Sequence, residues 1–361
     1  MAPTLDVEIR DLVVLTRDLV EVGDTCAALK EFVADAQIAT SNWPAAGWGT
    51  AHAYKKASTT AADGMGAAHD AGTSTAESLD AVARHYAGAE YHSSLTSAAP
   101  PPPPGSETGL TSANGARLTF QATEGAVAGL LLLHLTRARA SIGAAAGPVG
   151  LLPMVLAIDA LTVEPNIRES GPFRDAGAKW NVIATKNIKP MREELSRIVP
   201  LRSWDGTAAA SFNAHMRDRF LPALERLETL ATSMGGLCDD MATGMEEINK
   251  QWLALLLKTT ISLLLLNLVP LPYRPMFSIV TISGFIANVG WLYWKMRNWF
   301  SAKASDVAEI EKEAAALAAD CFDDSQALEA KRNLLNPHFT MVSDTWSTDD
   351  WLHNWQYTGK V

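Results

Sequence analysis

Cysteine is scarce in this chain, and the few present cannot staple it. Cys26, Cys238 and Cys321 are the only three among 361 residues; they lie far apart, and no CxxC occurs. An odd, dispersed set makes no disulfide framework. Charge is thin as well, 19% of residues against 48% apolar, and the balance is acidic at -10. An acidic chain gains nothing from the field of a polyanion, so nucleic acid is not an expected partner. The opening residues, Met1 to Glu8, offer neither a basic n-region nor an apolar h-region. A signal peptide is therefore not expected, and export would need another signal. Catalytic motifs are missing too: there is no HExxH, no GxSxG, no P-loop and no GxGxxG after a strand. His85 and His92 flank Glu90 at a spacing that a metal can use, but solvated helix residues are the expected reading. Asp205 and Ser211 suit turn and capping chemistry. No catalytic residue, metal or cofactor is expected, and the chain reads as something other than an enzyme.

What is present is helical periodicity and one concentrated apolar excess. The length suffices for two or three modest domains. Residues 1–95 read as a helical hairpin. Leu5, Ile9, Leu12, Leu15, Leu19 and Val22 recur at helical spacing, and the stripe resumes with Leu29, Phe32, Val33 and Ala36. Pro44, Gly47 and Gly49 break it, and an alanine-rich return runs to about Tyr91. Five consecutive prolines, Pro100 to Pro104, mark 96–116 as an extended linker. Residues 117–169 are apolar and rich in small residues, and read as buried helix plus loop. A second hairpin fills 170–252, with Trp180, Ile183, Ile188, Met191, Leu195 and Ile198 as its incoming stripe. Its outgoing helix carries Phe220, Leu224, Leu227, Ala231, Met234, Cys238, Met241, Met245, Ile248 and Trp252 at alternating spacings of four and three. Such a heptad seam requires a partner helix. Gly235, Gly236 and Gly244 are the places where it would bend. An amphipathic return helix over 298–336, with Val307, Ile310, Ala314, Leu317, Cys321 and Leu328 on one face, is a candidate for that partner. Residues 337–361 read as a tryptophan-rich tail. The fold class is all-α: an elongated bundle of two helical hairpins with an apolar helical hairpin at 253–297.

Trp204 and Gly206 stand at the turn of the second hairpin, followed by small residues and Phe212. This resembles the WXG superfamily of type VII (ESX-like) secretion substrates, whose pattern is W-x-G, small residues, then an aromatic. Trp48 and Gly49 stand at the turn of the first hairpin in a weaker form of the same plan. Tyr86 and Glu90, near the end of its second helix, resemble the Y-x-x-x-D/E export signal of these substrates; four apart on a helix, they share a face. A tyrosine-signal hairpin, a proline linker and a W-x-G hairpin in that order are similar to single-chain fusions of PE-like and PPE-like proteins. The resemblance covers about residues 5–95 and 170–250. It implies a bundle with both signals at one end, recognised by type VII secretion machinery. It does not cover 117–165 or 253–294.

The apolar excess must therefore be argued physically. Leu253 to Val269 holds one charge, Lys258; Pro270 to Pro275, with Arg274 among them, forces a turn; Met276 to Trp294 holds none. At ~1.5 Å rise per residue the arms are roughly 25–29 Å long, close to a hydrocarbon core of ~30 Å. Trp252 opens the first arm, and Trp291, Tyr293 and Trp294 close the second, with Lys295 and Arg297 just beyond. Aromatics at one level with flanking cations mark a membrane–water interface. Leu264 and Phe285 belong to the apolar bodies of the arms, while Lys258 and Asn267 call for a neighbour or a lumen. The expected function is an exported effector that inserts this hairpin into a lipid membrane, as helical pore-forming toxins do, with oligomers of itself as a pore. Two other readings stand beside it: a membrane-anchored or oligomeric structural component, and a toxin adaptor whose seam binds a small helical partner.

Overall fold

The computed structural model describes residues 9–93, 158, 162–201, 204 and 207–321. Among them all regular structure is helical. Helix α1 (Ile9–Asp35) buries Leu12, Leu15, Leu19, Val22, Leu29 and Val33 of the predicted stripe and adds Cys26, while Ile9 and Phe32 are half-buried. Helix α2 (Trp48–Ser93) returns beside it. Its buried face is built from Ala57, Ala61, Met65, Ala68, Ala71 and Ala76, and side chains this small allow a close approach. The predicted 96–116 linker and most of 117–169 lie outside the described residues, as do 337–361.

The second hairpin is longer than the first. Its incoming limb is helical without interruption: α3 (Gly171–Val182), a π-helical segment Ile183–Ile188, and α4 (Lys189–Ile198). Its outgoing limb is α5 (Thr207–His215), a π-helical segment Met216–Phe220, and α6 (Leu221–Leu265). Both π segments end just before a proline, Pro190 and Pro222. Proline has no N–H to donate and its ring collides with the carbonyl four residues back. One widened turn relieves both problems, so the helix passes the proline instead of stopping.

Every predicted seam residue from Phe220 to Trp252 is buried. The 4-3 alternation then continues through Leu256, Thr259, Leu263 and Leu266. The partner of the seam is the incoming limb. Arg174 pairs with Glu246 at 2.6 Å and Arg192 with Glu228 at 3.0 Å. Gly177 faces Gly235 so closely that a methyl group on either would meet the other's carbonyl oxygen at 3.2–3.3 Å. Two of the three glycines expected to bend α6 are thus sites of close approach: α6 runs as one α-helix, Gly235 meets Gly177 and Gly244 lies against the indole of Trp299, while open space surrounds Gly236.

A second difference concerns the end of the chain. The apolar arm and the amphipathic return helix are one element, α7 (Arg274–Cys321). Its buried residues Ser278, Ile282, Phe285, Val289, Leu292 and Met296 keep a 4-3 heptad spacing, and Phe300, Val307, Ile310, Ala314 and Leu317 continue it after a register shift between Met296 and Phe300. The first half of the stripe lies along α6. The second half packs chiefly on α2, where Leu317 reaches Gly64 and Glu311 pairs with Lys56 at 2.8 Å. Near its start, Trp299 against Gly244 and Lys303, bonded to Asp240 at 3.1 Å, tie it to the seam helix. The predicted partnership between 298–336 and the seam is therefore replaced by docking on the first hairpin. Side-chain volume decides this, because the alanine face of α2 leaves a groove that a helix of larger apolar residues fills.

The hairpins meet at an aromatic junction. Trp43 contacts Phe173, Tyr54 and Phe300, with ring centroids 4.9, 5.9 and 6.2 Å away. The Tyr54 hydroxyl donates to the Ala36 carbonyl at 2.8 Å and accepts from Trp180 Nε1 at 3.0 Å. Burial raises its pKa well above the ordinary phenol value and pushes the thiols of Cys26 and Cys238 up to about 12.

At the far end of the outgoing limb, His215 is buried, and burial together with the positive charge of Arg219 lowers its pKa from 6.5 to about 4. The native state then binds fewer protons than the unfolded chain between those two values, so stability falls as pH drops through that window. The loss is on the order of 3 kcal/mol and ceases below the lower value. His215→Phe is expected to flatten this part of the pH profile, as read by denaturant midpoints above, within and below the window.

Candidate functional site

The closed end of the first hairpin and the segment before α3 meet the long helices near Asn249 and Phe300. Thr50 Oγ1 donates to the Phe300 carbonyl at 2.8 Å, and Gly47 rests on the Phe300 ring. Asn166 Oδ1 accepts from the Ala46 N–H at 2.9 Å, and Asn249 Nδ2 donates to the Arg168 carbonyl at 2.8 Å. Beyond Trp252 on α6 and Met296 on α7 the burial pattern changes. Each arm now covers a single stripe: Leu256, Thr259, Leu263 and Leu266 on one, and Ser278, Ile282, Phe285, Val289 and Leu292 on the other. Arms with one covered stripe each cover one another, so the pair projects from the bundle as a two-helix head.

The uncovered faces of this head are apolar. Leu257, Ile261, Leu264, Leu265 and Leu268 are exposed on the first arm and its end, and Met276, Phe277, Ile279, Val280 and Ile286 on the second. Ile279 and Val280 are each 64% exposed and Leu268 81%. Apolar surface this continuous is uncommon on a chain that meets only water, and it marks an interaction face. Among the described residues one helix is long and apolar enough to cross a membrane, and it is α7, within 274–317.

The tip is built by backbone chemistry. Helix α6 stops at Leu265, four residues short of the predicted arm end, and two 3-10 turns, Leu266–Leu268 and Leu271–Tyr273, carry the chain round. Pro270 and Pro272 can donate no hydrogen bond, so α-helix cannot continue through them. Arg274 Nε donates to the Val269 carbonyl at 2.8 Å and closes the turn. The first arm spans ~20 Å from Trp252 to Leu265 and the second ~30 Å from Arg274 to Trp294.

Of the predicted membrane residues, Leu264, Pro270, Trp291 and Trp294 are exposed, Leu253 and Arg274 are half-buried, and Lys258 is exposed six residues above Trp252. Lys258 is thus ~9 Å from the level of Trp252, within reach of a long side chain that folds back toward water. Trp252, the last residue of the predicted seam, and Phe285 of α7 are buried between the helices, at 0% and 3% exposure, so neither faces outward. The outward aromatics at the base are Trp291 and Trp294, 56% and 60% exposed, with Lys295 Nζ stacked 5.4 Å from the Trp291 ring centre. The side chain of Asn267 lies outside the described residues.

The predicted export residues divide. Trp204 is buried and packs on Phe212 with ring centroids 5.6 Å apart, while Gly206 lies outside the described residues. Tyr86 and Glu90 fall within α2, but their side chains, with those of His85 and His92, lie outside the described residues. Asp11 and Val14 of α1 share a cleft with Arg197, Ile198, Pro200 and Leu201. The α1 start, and with it the antiparallel α2 end, therefore lies at the Trp204 end of the bundle. The first turn departs from expectation. Trp48 opens α2 and is 60% exposed, and open space surrounds Gly49. The plug of this turn is Trp43, and the close-approach glycine is Gly47. A tryptophan directly before proline, four residues before a glycine, was the available signal. The first hairpin turn and the apolar head thus share one end of the molecule, with Trp204 at the other.

No protein-family model matches this chain, and no curated protein or solved structure is detectably similar to it.

Proposed function

We propose that this chain is an exported helical effector of the type VII class that acts on a lipid membrane by inserting its two-helix head, residues 253–297. The observation that carries the reading is the contrast within the head. Its inner stripe is fully covered, so the hairpin is already folded, yet its outer faces leave large apolar side chains in water. A covered interior satisfies the backbone and the pair, and an apolar exterior is what a hydrocarbon environment requires of a helical element. The export half of the reading rests on Tyr86, Glu90 and the Trp204 turn. No residue is assigned a catalytic role.

Among the described residues the seam is buried against α3 and α4, which weighs against the adaptor reading. A membrane-anchored or oligomeric structural role remains the second reading, since the same exposed faces would serve it. Dye release from liposomes by the purified full-length protein separates the two. Rapid release is expected. Bound protein with intact vesicles would favour an anchor, and soluble, unbound protein would remove the membrane from both.

A further inference from the structure

The head is set apart by charge as well as by polarity. From Ile248 to Ser305 there is no Asp or Glu, while Lys250, Lys258, Arg274, Lys295, Arg297 and Lys303 are all present. This stretch carries +6 in a chain whose total is -10, so the remainder stands at -16. The charges are also placed. Lys250, Lys295 and Arg297 are exposed at the base of the head, at the level of Trp291 and Trp294. None of the three meets a carboxylate among the described residues. Lys295 bonds the neutral Gln251 side chain at 3.1 Å. The acids nearest Lys250 in sequence are engaged elsewhere, Glu246 with Ser170 and Arg174 and Glu247 with Gln251. Lys303, about two turns further into the bundle, is by contrast paired with Asp240 and Asp306. Unpaired cations thus form a collar where the apolar surface ends, and paired ones begin where the bundle begins.

Resting on the insertion reading above, we infer that the head selects bilayers containing anionic phospholipid, whose phosphate-bearing headgroups meet Lys250, Lys295 and Arg297 when the apolar faces are in the hydrocarbon. With the tryptophans at the interface, the collar lies in the headgroup layer, where lysine and arginine face an anionic surface without crossing hydrocarbon. The strongly acidic remainder of the chain is repelled by the same surface, so the molecule approaches head first. Each collar cation contributes about fivefold to binding at low salt, and the three together on the order of a hundredfold. Salt weakens this preference because the collar is exposed.

Vesicle co-sedimentation tests this with the full chain, using phosphatidylcholine alone and phosphatidylcholine mixed with phosphatidylglycerol. The proteins are the wild type, K250Q/K295Q/R297Q, and Leu264→Asp. Wild-type protein is expected to favour the anionic vesicles on the order of a hundredfold, with the preference falling as salt rises. The triple variant should keep its affinity for neutral vesicles and lose the preference. Helical content measured alongside confirms that it is folded, and its positions are exposed, so it should be. Equal wild-type binding to the two vesicles, or an unaltered preference in the triple variant, overturns the inference while leaving insertion standing. Binding to neither vesicle, or binding unaffected by Leu264→Asp, overturns the insertion reading itself.

Discussion

Leu264→Asp and Ile279→Asp, each made alone, are expected to weaken vesicle binding about a hundredfold and to leave the fold untouched. In the folded protein these side chains are 53% and 64% exposed. A surface substitution of that kind changes stability by about half a kcal/mol or less. At membrane depth the same change costs about 2.5–3.5 kcal/mol. The discriminating control is Ile282→Asp, three residues from Ile279 but only 3% exposed and inside the head. It buries an unpaired charge in the seam and should cost several kcal/mol of folding stability. Thermal melts and vesicle titrations on the three variants give the answer. If Ile279→Asp binds vesicles like the wild type, the outer face does not meet lipid. If Ile282→Asp melts like the wild type, the arms do not cover one another as described.

The second large effect is expected at the junction of the hairpins. Trp180→Ala should destabilise the protein by about 3–5 kcal/mol. The indole is fully buried, and its Nε1 donates to Tyr54, which in turn donates to Ala36. The substitution therefore empties a large volume and removes a donor from a chain of buried hydrogen bonds. Tyr54→Phe isolates the polar part: it keeps the ring and strands the Trp180 N–H and the Ala36 carbonyl, at a cost of about 1–3 kcal/mol. The two losses should fall short of additive in a double-mutant cycle, because both remove the same hydrogen bond. Denaturant unfolding measures all three variants. A fully additive cycle would mean that Tyr54 and Trp180 stabilise the junction separately.

Much of the bundle was readable because its helices are amphipathic. The α1 stripe and the Phe220–Trp252 seam each set apolar positions against polar ones, and contrast makes a period visible. The head offered no such contrast. Its Ser278–Met296 stripe has the same 4-3 spacing as the seam, but the residues between are apolar too, so nothing in the pattern separates inward from outward positions. Phe285 and Leu264 are for that reason alike in the sequence, both apolar residues of an arm, and only packing tells the buried one from the exposed one. At the first turn, Trp43 and Trp48 are both tryptophans within a breaker-rich segment. Which of them plugs the hairpin depends on Phe173 and Phe300, far away in the chain.

By itself the sequence determined the all-α class, the two hairpins, the long heptad seam and the site of the apolar excess, because helix periodicity, prolines and charge are local properties. Only the tertiary structure decided which helix fills the seam, that α7 is one helix serving two partners, and which face of the head stays uncovered. These depend on volume and on competition among surfaces distant in sequence. The alanine face of α2 draws in the second half of α7; among the described residues this leaves the first half with α6, beyond the end of the bundle, with its outer face uncovered.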